Sequence, residues 1–331
     1  MRRLGSRRAA TSWLARVAIV AAGMALCWAL PAAAQPDLSQ TTGTTVADRA
    51  SPHYRFERFV VASADGTRRW RVNLGIPKKP APASGSAALY MLDGNAALMS
   101  FDDGLLADLA AARPCVLVFI GYDNDLRIDS PGRMRDYTPS IQDAGKPSAS
   151  GGADAFLDTI EQRIKPEVER RAAVDRTQQL LWGHSLGGVF ALHALFTRTS
   201  AFQIYVPASA ALWWDNGLLL REVERFAAHN AGTPARVWVM RGGAEGQGRR
   251  DNTAMNANDP RVTEMLKRRQ AAPPDAAKQM ARRLESLPGL QVQYREFDGL
   301  DHGPSLKASL LATLHELTGI ADRSLPGAAA P

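Results

Sequence analysis

Short apolar runs alternate with amphipathic stretches along most of the chain. Residues 56–63 and 69–75 are strand-like and flank Asp65-Gly66, a turn signal, so they predict a β-hairpin. Apolar runs at 88–92 and 115–122 enclose a helical stretch near 102–112. Residues 153–171 place Ala155, Phe156, Ile160, Ile164 and Val168 along one side, the spacing of an amphipathic helix. A four-residue strand pattern at 179–182 then leads to a uniformly apolar helix pattern at 188–197. Further strands are expected near 203–208, 235–240 and 291–297, and helices near 217–229, 275–286 and 304–318. This alternation predicts an α/β domain with a mostly parallel central sheet and helices on both faces. No internal repeat is visible.

The two ends depart from that pattern. Arg2, Arg3, Arg7, Arg8 and Arg16 make a basic start, and residues 17–30 are apolar apart from Gly23. Pro31-Ala32-Ala33-Ala34 follows as a small-residue cleavage site, so residues 1–34 have the form of a secretory signal. The apolar run is short of the roughly 20 residues a spanning helix needs. Left uncleaved, it would be an inner-membrane tether. Ser6-Arg7-Arg8 lacks the apolar residues of twin-arginine export, and Cys27 follows Leu26 where a lipoprotein needs a small residue. The expected location is the periplasm of a Gram-negative-type bacterium. Residues 35–52 are polar and expected to be a flexible lead, residues 53–320 the folded α/β domain, and residues 321–331 a disordered tail.

The signal accounts for most of the charge. The chain carries a formal +7, and residues 1–34 hold five arginines and no acid, which leaves +2 for the remainder. Such a balance gives no argument for nucleic-acid binding. Only Cys115 then remains, which rules out an internal disulfide, and its apolar run makes it a core thiol.

Gly183-His184-Ser185-Leu186-Gly187 stands at the junction of the strand and helix patterns. A G-x-S-x-G between strand and helix is the nucleophile elbow of the α/β-hydrolase fold, with the serine exposed on a sharp turn. Gly183 and Gly187 are expected to permit that turn. Among six histidines, His302 follows the 291–297 strand and precedes the last helix, where this fold carries its base. His53, His184, His193, His229 and His315 are expected to be surface or packing residues. The acid should come from the loop after residues 237–240. Glu245 is the nearest carboxylate there, Asp251 and Asp259 are rivals, and a Ser–His dyad remains open.

Five further segments occur in order: Tyr90-Met-Leu-Asp-Gly-Asn95, Arg133-Met-Arg-Asp-Tyr-Thr-Pro139, Gly151-Gly-Ala-Asp-Ala-Phe156, Leu212-Trp-Trp-Asp215 and His302-Gly-Pro304. With the elbow, these make residues 56–317 resemble the esterase D-like family of α/β hydrolases. Within it, they are similar to periplasmic esterases that open catecholate trilactone siderophores such as enterobactin and salmochelin. The resemblance implies that Ser185 is the nucleophile and His302 the base, and some related enzymes resemble dyads. The oxyanion donors expected of the fold are the N–H of Leu186 and one from Gly94 or Asn95, after the strand ending at Leu92. Arg133 and Arg135 could face an anionic ferric catecholate or simply solvent, unless Arg135 pairs with Asp136, and Trp213 and Trp214 could stack on catechol rings, or Trp213 could pack in the core.

These residues imply an enzyme acting on a small-molecule ester, with no cofactor and no metal required. The alternatives are an exported carboxylesterase or acyltransferase for other acyl groups, or a non-catalytic binding protein on the same fold.

Overall fold

The computed structural model describes residues 39–140, 150–229, 232–246, 267 and 273–324. The expected signal with Cys27, the rivals Asp251 and Asp259, and the tail beyond Ser324 lie outside them. Eight strands are found among the described residues: β1 (Tyr54–Ala62), β2 (Arg69–Pro77), β3 (Ser86–Met91), β4 (Val116–Tyr122), β5 (Val174–His184), β6 (Ile204–Ala208), β7 (Ala235–Gly242) and β8 (Leu290–Phe297). They form one sheet in the order β1-β2-β4-β3-β5-β6-β7-β8. β2 runs antiparallel to β1 and β4, and every other pairing is parallel.

Strand side chains alternate between the two faces of a sheet, and cross-strand register turns this into rows. Leu117, Leu89, Leu180 and Ile204 lie side by side on one face, and Val118, Tyr90, Leu181 and Tyr205 on the other. All eight are fully buried. The first row is covered by helices α1 (Gly94–Leu98), α2 (Asp103–Ala111) and α9 (His302–Thr318). The second is covered by α4 (Ala153–Thr159), α5 (Lys165–Arg171), α6 (Leu186–Thr197), α7 (Leu218–His229) and α8 (Ala276–Glu285). A short helix α3 (Ser130–Asp136) follows β4. The fold is the mixed α/β architecture expected, and because β3 to β8 are parallel their carboxyl ends share one edge. The loops after those strands gather there, as in open α/β sheets generally.

Differences from expectation are local. The helix expected over 153–171 is divided by a π-helical turn, Ile160–Ile164. Pro166 follows it, and a proline with no N–H cannot make the regular bond back to the preceding turn. Within the expected lead, Val46 is buried, Thr45 and Asp48 form a capping box, and Arg127 N–H donates to the Gln40 carbonyl. At the other end Asp322 pairs with Arg295 at 2.5 Å and Ser324 is buried. Cys115 is a buried free thiol, pushed up to about 12 by burial.

His193, expected as a surface or packing residue, joins three helices. It lies in α6 and bonds Asp154 of α4 at 2.9 Å and Glu222 of α7 at 3.1 Å. Burial opposes its charge, but the two carboxylates outweigh that and raise its pKa to about 9. A pKa raised above the unfolded value stabilises the fold at low pH. The contribution is complete below about 6.5 and is lost as pH rises through about 9. The thermal midpoint of wild type is therefore expected to fall over that interval relative to His193→Asn, and parallel curves would refute the pairing.

Candidate active site

The elbow comes from β5 running directly into α6. Ser185 occupies φ 60° and ψ −114°, a region that costs a side-chain-bearing residue of order 1–3 kcal/mol. Its N–H is held by the Ala208 carbonyl at 2.9 Å. A Cβ on Gly183 would sit 2.2 Å from the Gly187 carbonyl oxygen, and one on Gly188 2.9 Å from Ala210 Cα. A Cβ on Gly187 would meet Leu92 at an ordinary 3.5 Å. The tight glycines are thus Gly183 and Gly188, rather than Gly183 and Gly187. Gly183→Ala is expected to destabilise by about 3 kcal/mol, at the upper end of ordinary overpacking. An unchanged thermal midpoint would contradict the close approach.

Ser185, His302 and Glu245 form a continuous line. His302 Nε2 lies 3.0 Å from Ser185 Oγ, and His302 Nδ1 lies 3.3 Å from Glu245 Oε2. His302 is the first residue of α9, just past β8, and Glu245 sits in the turn after β7. The second carboxylate oxygen of Glu245 accepts from the Ser209 hydroxyl at 2.5 Å and from Gly242 N–H at 3.0 Å. Burial would raise the Glu245 pKa, but its bond to His302 and the Ser209 hydroxyl outweigh that and hold it at about 2. An ionised carboxylate on Nδ1 fixes the tautomer that leaves Nε2 free to accept a proton, and stabilises the imidazolium that results.

A buried polar cluster behind this line was missed by sequence reasoning. Ser305 Oγ lies 2.8 Å from Ser209 Oγ, 3.3 Å from Glu245 Oε1 and 3.0 Å from His184 Nε2, and donates to the His302 carbonyl at 2.7 Å. His184, inside the elbow motif, packs its ring 4.7 Å from that of His302. Burial and the neighbouring His302 push its pKa well down, so it is a neutral partner. The only sequence signal was spacing: Ser305 is three residues past His302, one helical turn on.

The expected oxyanion residues meet at the same edge. Leu186 is the first residue of α6 and Gly94 the first of α1, and β3 and β5 are adjacent. The first N–H groups of a helix have no partner within it. The Asn95 side chain is used otherwise, donating to the carbonyls of Asn124 and Leu126 at 3.0 and 2.8 Å.

Residues 63–314 match the model of the family described as "Putative esterase". The chain belongs to that family. It is 33% identical, over 86% of its own length and 86% of the relative's, to an apo-salmochelin esterase of Escherichia coli O6:H1. Its structure resembles the enterobactin and salmochelin hydrolase IroE, with a TM-score of 0.62 and 32% identity, covering 82% of this chain and 98% of the other. It also resembles the siderophore hydrolase EstB of Aspergillus nidulans, with a TM-score of 0.67 and 25% identity over 82% and 96% of the two chains. This esterase is a serine hydrolase acting on carboxylic ester bonds.

Of the side chains expected to bind substrate, the two arginines are engaged in ion pairs. Arg133 is not free to face a ligand: its guanidinium is buried, 2.7 Å from Asp93 Oδ1, and donates to the His184 carbonyl at 3.2 Å. A buried guanidinium needs a partner charge, and Asp93 supplies it. Arg135 makes the pair that the sequence left open, 2.8 Å from Asp136. Trp213 and Trp214 lie in the loop after β6, which is tied to the elbow by Ala211 N–H donating to the Ser185 carbonyl at 3.2 Å. Both pack partly buried against the core, with ring centroids 6.4 Å apart.

Proposed function

We propose that this chain is a periplasmic esterase that hydrolyses the trilactone ester bonds of a catecholate siderophore, with Ser185 as nucleophile, His302 as base and Glu245 as the orienting acid. The observation that carries the reading is the Ser185–His302–Glu245 line in a chain aligned over 86% of its length with a salmochelin esterase. Ser185 Oγ attacks an ester carbonyl while His302 Nε2 takes its proton. The tetrahedral oxyanion is met by backbone N–H groups of Leu186 and the Gly94–Asn95 segment. Collapse expels the alcohol, which receives the proton from His302, and leaves an acyl-enzyme. Water, deprotonated by His302, then releases the acid and restores Ser185. Hydrolysis would turn a preorganised hexadentate iron ligand into flexible pieces, and lost preorganisation weakens binding. The periplasmic assignment is supported by the basic start, apolar run and Ala32–Ala34 site.

The test is a product assay of purified protein with ferric and iron-free enterobactin, beside short p-nitrophenyl esters. Linear catechoyl-serine products are expected. Turnover of the p-nitrophenyl esters with every trilactone left intact would hand the case to a general exported carboxylesterase.

A further inference from the structure

The R-x-R-D-Y-T-P segment remains without a role once Arg133 is turned inward and Arg135 paired with Asp136, yet Arg133 and Tyr137 both reach the turns that flank the reaction centre. Arg133 spans two strand ends, contacting Asp93 just past β3 and the carbonyl of His184, the last residue of β5. Tyr137, also buried, accepts a hydrogen bond from Asp93 N–H at 2.9 Å. Asp93 is the left-handed residue, φ 49° and ψ 47°, that turns the chain from β3 into α1. Its N–H and its carboxylate are therefore both fixed from the same segment. His184 directly precedes Ser185, and Asp93 directly precedes Gly94. The two halves of the oxyanion site are thus tied to one another through Arg133.

The base of this bridge is itself rigid. Asp129 caps α3 through Gly132 N–H at 2.8 Å, and a Cβ on Gly132 would lie 2.5 Å from the Tyr122 ring. Asp136, fully buried, accepts from Trp70 Nε1 at 2.9 Å. Stability alone is a poor reason for such an arrangement. Desolvation offsets much of the attraction in a buried ion pair, and Asp93 Oδ2 is buried with no hydrogen-bond partner among the described residues. What the pair supplies is fixed geometry between two strained turns.

Resting on the esterase reading above, we propose that Arg133, Asp93 and Tyr137 are positioning residues that hold the Gly94–Asn95 backbone in register with Leu186 N–H, so that both meet the developing oxyanion. Displacement of a reacting group by about 1 Å can cost 10²-fold in rate, and loss of one oxyanion donor costs about 10²–10³. Tyr137→Phe removes the acceptor for Asp93 N–H and keeps the ring. Arg133→Lys keeps the charge but lacks the planar fork that reaches both partners.

The test uses the full chain, a p-nitrophenyl ester and a trifluoromethyl ketone, whose serine hemiketal carries an oxyanion. Active sites are counted with an organophosphate. Per titrated site, kcat is expected to fall about 10- to 100-fold in both variants, with KM within twofold. Affinity for the ketone should fall in parallel with kcat/KM. A merely structural role would lower the thermal midpoint and the number of active sites, leaving kcat and ketone affinity per site unchanged, and that result overturns the proposal. Should Arg133→Lys fail to fold, Tyr137→Phe decides alone. A wild-type chain that neither turns over esters nor is trapped at Ser185 would fail the esterase reading itself, a distinct outcome.

Discussion

Ser185→Ala is expected to lower ester turnover by about 10⁶-fold, the loss found when the nucleophile is removed from a comparable triad enzyme. The hydroxyl stands on a strained turn 3.0 Å from His302 Nε2, with its backbone held by the Ala208 carbonyl. Removing one oxygen leaves that backbone bond in place, so the thermal midpoint should stay within a few degrees. Reaction of wild type, but not the variant, with an organophosphate checks the same oxygen chemically. Turnover within tenfold of wild type would remove Ser185 from the reaction.

The second large effect concerns the histidine and its carboxylate. His302→Ala should lose about as much as the serine variant, because nucleophile and base act as one unit. Glu245→Gln should lose about 10⁴-fold, since the neutral amide no longer enforces the tautomer that presents a free Nε2 to Ser185. A dyad enzyme would lose far less than this. The geometry favours the triad: Glu245 reaches His302 Nδ1, and its other oxygen is held by Ser209 and Gly242. Its pKa, held at about 2, makes the sign of the stability effect definite. A depressed carboxylate stabilises the fold above its unfolded pKa of about 4.5 and loses that contribution as pH falls toward about 2. Wild type should therefore lose more stability than Glu245→Gln over that interval. Equal kcat/KM for Glu245→Gln and wild type would refute the assignment of the acid.

The sequence determined those features that repeat along the chain or depend on adjacent residues. Period-two and period-3.6 patterns give the strands and helices, because burial of a face imposes its period on the residues that form it. The elbow was legible for the same reason: strand, tight turn and buried helix are consecutive, so Ser185 needs no distant partner to be recognised. His302 followed from its place after the last strand. Charge was less legible, because an arginine reads the same whether it faces solvent, ligand or an aspartate 40 residues away. Arg133 was therefore expected at the substrate, and only the pairing of β3 with β4 and β5 brought it against Asp93 and the His184 carbonyl. The Ser209–Ser305–His184 cluster behind Glu245 likewise joins the loop after β6, the first turn of α9 and the end of β5, with no shared motif. Its members are ordinary polar residues until the parallel sheet gathers its carboxyl ends at one edge. Local pattern therefore supplied the elements and the nucleophile, while tertiary structure decided which buried charges and hydroxyls meet, because a buried polar group must find its partner wherever the fold brings one within reach.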